Sequence, residues 1–151
     1  MAELFHTHYH PLVRIAALLI SDTVAAEDIV QAAFASLQRA WPQPGGADRA
    51  LMYLRRNMIR GTRSWERTPV GRNSQPGGAP HAPWPGHSIH ETLLMAALGA
   101  LPGRQREALV LRYYAEWPDA QIAAAMGISS RGVANHIARG ISTLRACQML
   151  D

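Results

Sequence analysis

Lysine is absent from this chain: all fifteen basic residues are arginine. Arginine suits bidentate contact with phosphate, although lysine is also depleted by a GC-rich genome. Cysteine is nearly absent. The single Cys147 excludes an intrachain disulfide and any zinc site built from several cysteines, and it fits a reducing compartment. Long apolar runs are missing too. The stretch LVRIAALLI is interrupted by Arg14 and is too short to span a bilayer. The N-terminus lacks the basic start and cleavage pattern of a secretory signal, so the protein is expected in the cytoplasm without membrane insertion. No segment alternates in polarity like a strand, which leaves an all-α reading. No glycine loop of the phosphate-cradling Walker type occurs, and Cys147 has only polar neighbours and no identifiable base. An enzyme is therefore not expected, nor is a cofactor.

What remains is helical periodicity and uneven charge. In a chain of 151 residues two small cores are possible. Residues 3 to 20 predict a helix with Phe5, Leu12, Val13, Ala16, Leu19 and Ile20 on one side. Asp22 is placed to cap a second, in which Ala26, Ile29, Val30, Ala33, Phe34, Leu37 and Trp41 recur at intervals of three and four. That stripe predicts core and turns Asp28, Gln31, Ala35 and Gln38 outward. PQPGG stops the helix. A third helix follows, with Leu51, Leu54, Met58 and Trp65 as its apolar stripe and Arg49, Arg56, Arg60, Arg63 and Arg67 as a basic ridge. Residues 1 to 41 hold Glu3, Asp22, Glu27 and Asp28 against two arginines, whereas residues 42 to 72 hold seven arginines against Asp48 and Glu66. An acidic surface followed by a basic one predicts two partners, the second polyanionic.

Residues 68 to 88, TPVGRNSQPGGAPHAPWPGHS, show no apolar period and predict a flexible tether, in which Trp84 is exposed. A second helical set begins at Ile89. The domains expected are 1–67, the linker 68–88, and 89–151. Within the last, MGISSRGVANHIARG carries a helix-turn-helix pattern. Ile122 and Ala123 lie in a short helix, Gly127 permits a left-handed turn, Ile128 re-enters the core, Ser129 or Ser130 caps the next helix, and Val133 and Ile137 face inward. The candidates for DNA contact are Ser130, Arg131, Asn135, His136 and Arg139. So few cations cannot neutralise the several phosphates that tight autonomous binding needs. This helix is expected to position a complex held mainly elsewhere.

The stretch LPGRQREALVLRYYAEWPDAQIAAAMGISSRGVANHIARGISTLR resembles the promoter-binding C-terminal domain of extracytoplasmic-function sigma factors, a pattern shared in large part with LuxR-type regulators. FHTHYHPLVRIAALLISDTVAAEDIVQAAFASLQRAW resembles the sigma domain that binds the polymerase clamp, and YLRRNMIRGTRSWER the helix that engages the minus-ten element. The two motifs stand in the family's order. The resemblance implies core RNA polymerase as a partner, through its β′ clamp and β subunit, together with promoter DNA, and it leaves room for an anti-sigma factor. It makes Glu27, Asp28 and Gln31 the polymerase contacts. Arg55, Arg56, Arg60 and Arg63 would follow DNA phosphates, and Tyr53 would stack on an unpaired base in preference to Trp65, which lies on the core stripe. Ala32 replaces a glutamate common in the family, and Gly132 and Ala134 replace a threonine and a basic residue of its recognition helix.

Two other readings compete. One is a helix-turn-helix regulator that works without polymerase. The other is a metal-dependent enzyme using HTHYH; His6 and His10 share a helical face there, but His8 points away and nothing nearby completes a four-ligand set.

Overall fold

The computed structural model describes residues 2–40, 46–69 and 96–146. Trp41 and all of the PQPGG turn but Gly46, most of the tether with Trp84, the start of the second helical set and Cys147 lie outside the described residues. Those described are helical or in short turns, with no strand among them.

Helix α1 spans Ala2–Ile20 and α2 spans Thr23–Ala40. Between them Ser21 adopts a left-handed φ of 57°, and the Asp22 carboxylate accepts the Ala25 N–H at 3.0 Å, satisfying one of the orphan donors at the start of α2. Pro11 lies within α1 on its exposed side and does not end it. From Ile15 to Ile20 every residue of α1 is buried, because neighbours cover this end of the helix on all sides. Phe5 departs from the expected core face. It is 42% exposed, and Leu4 takes the inward position instead. The Phe5 ring stacks on Tyr9 at 4.6 Å and meets Phe34 edge-on at 5.2 Å.

Ala26, Val30, Ala33, Phe34 and Leu37 of α2 form the buried stripe read from the sequence, with Ile29 half-buried. Helix α3, Gly46–Glu66, buries Ala50, Leu54, Met58, Ile59 and Thr62. This row advances in steps of four, so Leu51 and Trp65, expected within the stripe, lie half-buried at its edge. Leu54 and Met58 are fully buried, each a burial of about 1.5–3 kcal/mol.

After a helical turn at 96–99, the C-terminal lobe contains α4 (Gly103–Leu109), a π-helical segment (Val110–Tyr114), α5 (Asp119–Met126) and α6 (Ser130–Ala146). The wide turn of the π segment is closed by the Ala115 N–H on the Val110 carbonyl at 2.9 Å, and Trp117 follows it into the interior. Helices α4 and α6 approach closely at Gly140. A Cβ there would come within 2.7 Å of the Leu109 side chain, so only glycine admits this packing without a shift.

The two lobes pack together. Helix α3 lies against α5, and α1 lies against α4 and the π segment, so the two apolar cores are continuous.

Candidate nucleic-acid interface

The helix-turn-helix is built by a cap at each side of one turn. Gly127 ends α5 with φ 73° and ψ 32°, a left-handed conformation that costs glycine little, and its N–H bonds to the Ala123 carbonyl. Ile128 follows into partial burial, and the Ser129 hydroxyl accepts the Gly132 N–H at 3.0 Å. Ser129, not Ser130, is therefore the N-cap of α6. Val133, Ile137, Gly140 and Leu144 face inward. Their spacing turns Ser130, Arg131, Asn135 and Arg139 to solvent. The last three, four residues apart, form a row about 12 Å long, presenting two guanidinium forks and an amide that can pair with base edges or phosphates. His136 is half-buried, and its Nδ1 is buried without a hydrogen-bond partner, so it stands apart from this outward row.

Four of the five arginines of α3 divide into two groups, Arg49 lying exposed at its start. Arg56 and Arg60, four apart, are exposed on one face. Arg55 and Arg63 instead turn toward the C-terminal lobe. The Arg55 guanidinium lies 4.1 Å from the Trp117 ring centroid, a cation–π stack, and donates to the Gln121 side-chain carbonyl. Arg63 grips Glu107 in a bidentate pair at 2.9 and 2.7 Å, and it also donates to the Met126 carbonyl at 3.3 Å, where the C-terminal dipole of α5 favours a cation. Tyr53 is half-buried against the N-terminal core, and its hydroxyl donates to the Ser36 carbonyl at 3.4 Å.

A second arginine completes the contact between lobes. Arg106, 9% exposed, donates to the carbonyls of Leu98, Gly99 and Leu101 within its own lobe, to the Leu19 carbonyl at the end of α1 at 2.7 Å, and to Glu66 of α3 at 3.0 Å. Burial pushes the Glu107 carboxyl up to about 7, a rise that the charge and hydrogen bonds of Arg63 offset only in part. Burial likewise raises Glu66 against the pull of Arg106 and Arg63. Sequence reasoning gave no role to Glu66, Arg106, Glu107, Trp117 or Gln121. The only local signal was the charged pair in RQREALVL, set immediately before an apolar run.

On α2, Glu27, Asp28 and Gln31 are exposed on the side away from the core, and Gln31 donates to the Tyr9 hydroxyl at 3.1 Å. Gln31 also borders a shallow apolar groove with Phe5, Phe34, Ala35 and Gln38. Among HTHYH, His8 is half-buried, and burial followed by the nearby Arg55 lowers its pKa. No group of three or more metal-ligating residues occurs among the described residues. No described helix is long and apolar enough to cross a membrane.

Comparison with known proteins matches residues 4–67 to the family model for sigma-70 region 2 and residues 91–144 to that for sigma-70 region 4. The chain is 30% identical over 146 residues to the RNA polymerase sigma-E factor of Streptomyces coelicolor, an alignment covering 95% of this chain and 82% of the relative. It is 32% identical over 149 residues to the sigma-E factor of Streptomyces antibioticus, covering 95% and 81% of the two chains. To the ECF RNA polymerase sigma factor SigL of Mycobacterium tuberculosis it is 32% identical over 157 aligned positions, covering 96% and 86%.

Proposed function

Starting from the fact that the chain belongs to the sigma-70 family, as an extracytoplasmic-function sigma factor that directs transcription initiation, we propose that its surfaces divide between core RNA polymerase and promoter DNA. The outward α2 residues Glu27, Asp28 and Gln31 meet the β′ clamp. Arg55, Arg56, Arg60 and Arg63 of α3 follow the backbone of the minus-ten element, with Tyr53 beside an unpaired base. Ser130, Arg131, Asn135 and Arg139 of α6 read the minus-thirty-five element, with His136 at the margin. The reading rests on one observation above all: the row Arg131, Asn135 and Arg139 stands clear of the protein on a helix launched by the Gly127 turn. That row is too sparse to hold DNA at cellular salt without help. Attachment of α2 to polymerase makes the DNA contacts intramolecular and raises their effective concentration. Polymerase does the chemistry, in the cytoplasm.

Run-off transcription tests this directly. Core polymerase with the chain should yield a promoter-dependent product, and either alone should not. A folded chain that ignores core polymerase even at low salt rules the reading out. Asp28→Arg should weaken polymerase association about tenfold, roughly 1.4 kcal/mol, by placing like charge where an acid is expected. Helical content should be unchanged, because Asp28 is exposed. Unaltered affinity would remove Asp28 from the interface.

A further inference from the structure

The outward side of α6 carries two parallel rows. Arg131, Asn135 and Arg139 form one at steps of four, and Ala134 and Ala138, also four apart, form the other beside it; all five are exposed. Behind them Val133, Ile137 and Gly140 seat the helix in the core. The Asn135 amide thus stands at the middle of the polar row, with the Ala134 methyl beside it and the Ala138 methyl one turn on. Ala134 takes the place of a basic residue common in the family, so this face has one cation fewer and one methyl group more.

Reach decides what each group touches. An arginine extends far enough from its helix to meet a phosphate at the groove wall, whereas asparagine ends two bonds beyond its Cβ and alanine ends at the Cβ itself. Groups so short meet DNA only where the helix lies against the floor of the groove, and the lack of bulk between Arg131 and Arg139 permits that approach. A neutral amide also neutralises no phosphate and adds little to the salt-dependent grip. Its two directed hydrogen bonds match the N6 and N7 edge of adenine, and the alanine methyl matches the C5-methyl of thymine.

Resting on the functional reading above, we propose that α6 reads A·T pairs of the upstream element directly, through amide and methyl contacts. Asn135 takes the major-groove edge of one adenine, and Ala134 and Ala138 take thymine methyl groups beside it. Ala138 lies about 4.5 Å from Asn135 along the helix axis, and successive base pairs rise about 3.4 Å, so these thymines fall within one or two pairs of the adenine. Arg131, nearer the end of α6 that enters the groove, meets a further base edge, and Arg139 meets a phosphate. Preference then lies in the chemistry of the base edges and not in the shape or stiffness of the duplex.

The test uses the full chain with core polymerase. From duplex DNA randomised across the upstream and minus-ten elements, promoters captured by the wild-type holoenzyme should share an adenine with a second A·T pair within two pairs of it. Asn135→Ala leaves the inward row untouched and favours the helix. Its captured promoters should show the preference for that adenine reduced at least about tenfold, with other positions kept. On one promoter selected by the wild type, 7-deazaadenine at that position removes N7 alone, and deoxyuridine at the neighbouring thymines removes the methyl groups alone. Each replacement should weaken wild-type binding about threefold or more, and 7-deazaadenine should leave Asn135→Ala unaffected. Recovery of the same adenine by Asn135→Ala, or a promoter indifferent to either replacement, overturns the proposal. Promoters captured without dependence on these base edges leave the function standing and remove only the direct readout. A folded chain that captures no promoter with core polymerase removes the functional reading, and the readout with it.

Discussion

The basic surfaces on α3 and α6 use the same residue type for different ends. On α6, Arg131 and Arg139 stand in solvent on the side of the helix away from the core. On α3, Arg55 and Arg63 reach across to Trp117, Gln121, Glu107 and the end of α5, leaving Arg56 and Arg60 outward. A cationic ridge is defined by what lies opposite it. An arginine facing water is available to phosphate, whereas one facing a buried carboxylate is part of the architecture until that carboxylate is taken away.

The largest loss is expected at the residue that ties the lobes together. Arg106→Met fills similar space but leaves the Glu66 carboxylate and several buried carbonyls without their donor. Breaking such a buried pair on one side costs about 3–5 kcal/mol. Chemical denaturation should find that loss, and a loss below roughly 1 kcal/mol would mean that Arg106 is not what ties the lobes.

Arg63→Ala should cost about 1–3 kcal/mol of stability by leaving the buried Glu107 with only its longer contact to Arg104 at 3.7 Å, while Arg131→Ala should stay within about 0.5 kcal/mol. In promoter binding by the holoenzyme the ranking changes: Arg131→Ala should lose about 1–3 kcal/mol of discrimination at the upstream element. Equal melting temperatures for the two variants would erase the distinction drawn between the helices.

Acidity refines the α3 side alone. The folded chain holds the Glu107 proton up to about 7, against an ordinary value of 4.5, so between those values the folded state binds a proton that the unfolded state releases. Stability therefore falls as pH rises through this window, and Glu66, raised in the same direction, adds to the fall. Glu107→Gln should flatten the decline in a series of unfolding curves from about pH 5 to about pH 8. A variant that keeps the wild-type slope would exclude Glu107 as its source.

The smallest effect belongs to α6. Gly132 lies in its first turn, where an added Cβ would meet Ile128 and the Ser129 hydroxyl at 3.4 Å, a contact needing little adjustment. Gly132→Ala should raise stability by up to about 1 kcal/mol through helix propensity. A lowered melting temperature would show that the turn cannot yield those few tenths of an ångström.

Sequence made legible whatever is decided within a few turns of helix. The Asp22 cap, the α2 stripe, the left-handed Gly127 and the inward Val133 and Ile137 follow from local spacing and local hydrogen bonding. Phe5 escaped because a neighbouring leucine satisfied the same helical face, and Leu51 and Trp65 were read as core because a stripe's edge and its centre look alike in one dimension. The lobe junction left almost no trace. Arg55 and Gln121 are 66 positions apart and Arg63 and Glu107 are 44 apart, and no periodicity relates them. A ridge of arginines at helical spacing reads the same whether its partner is a phosphate or a distant acid of the same chain.

Gly140 sets how closely α6 approaches α4. Its bare backbone lies against the Leu109 side chain, so a methyl group added on the hidden side would have to displace either that side chain or the helix that carries Arg131, Asn135 and Arg139. Under the proposed division of surfaces, a substitution at this position would bear on promoter choice without approaching a base, made at the seat of the lever and felt at its tip.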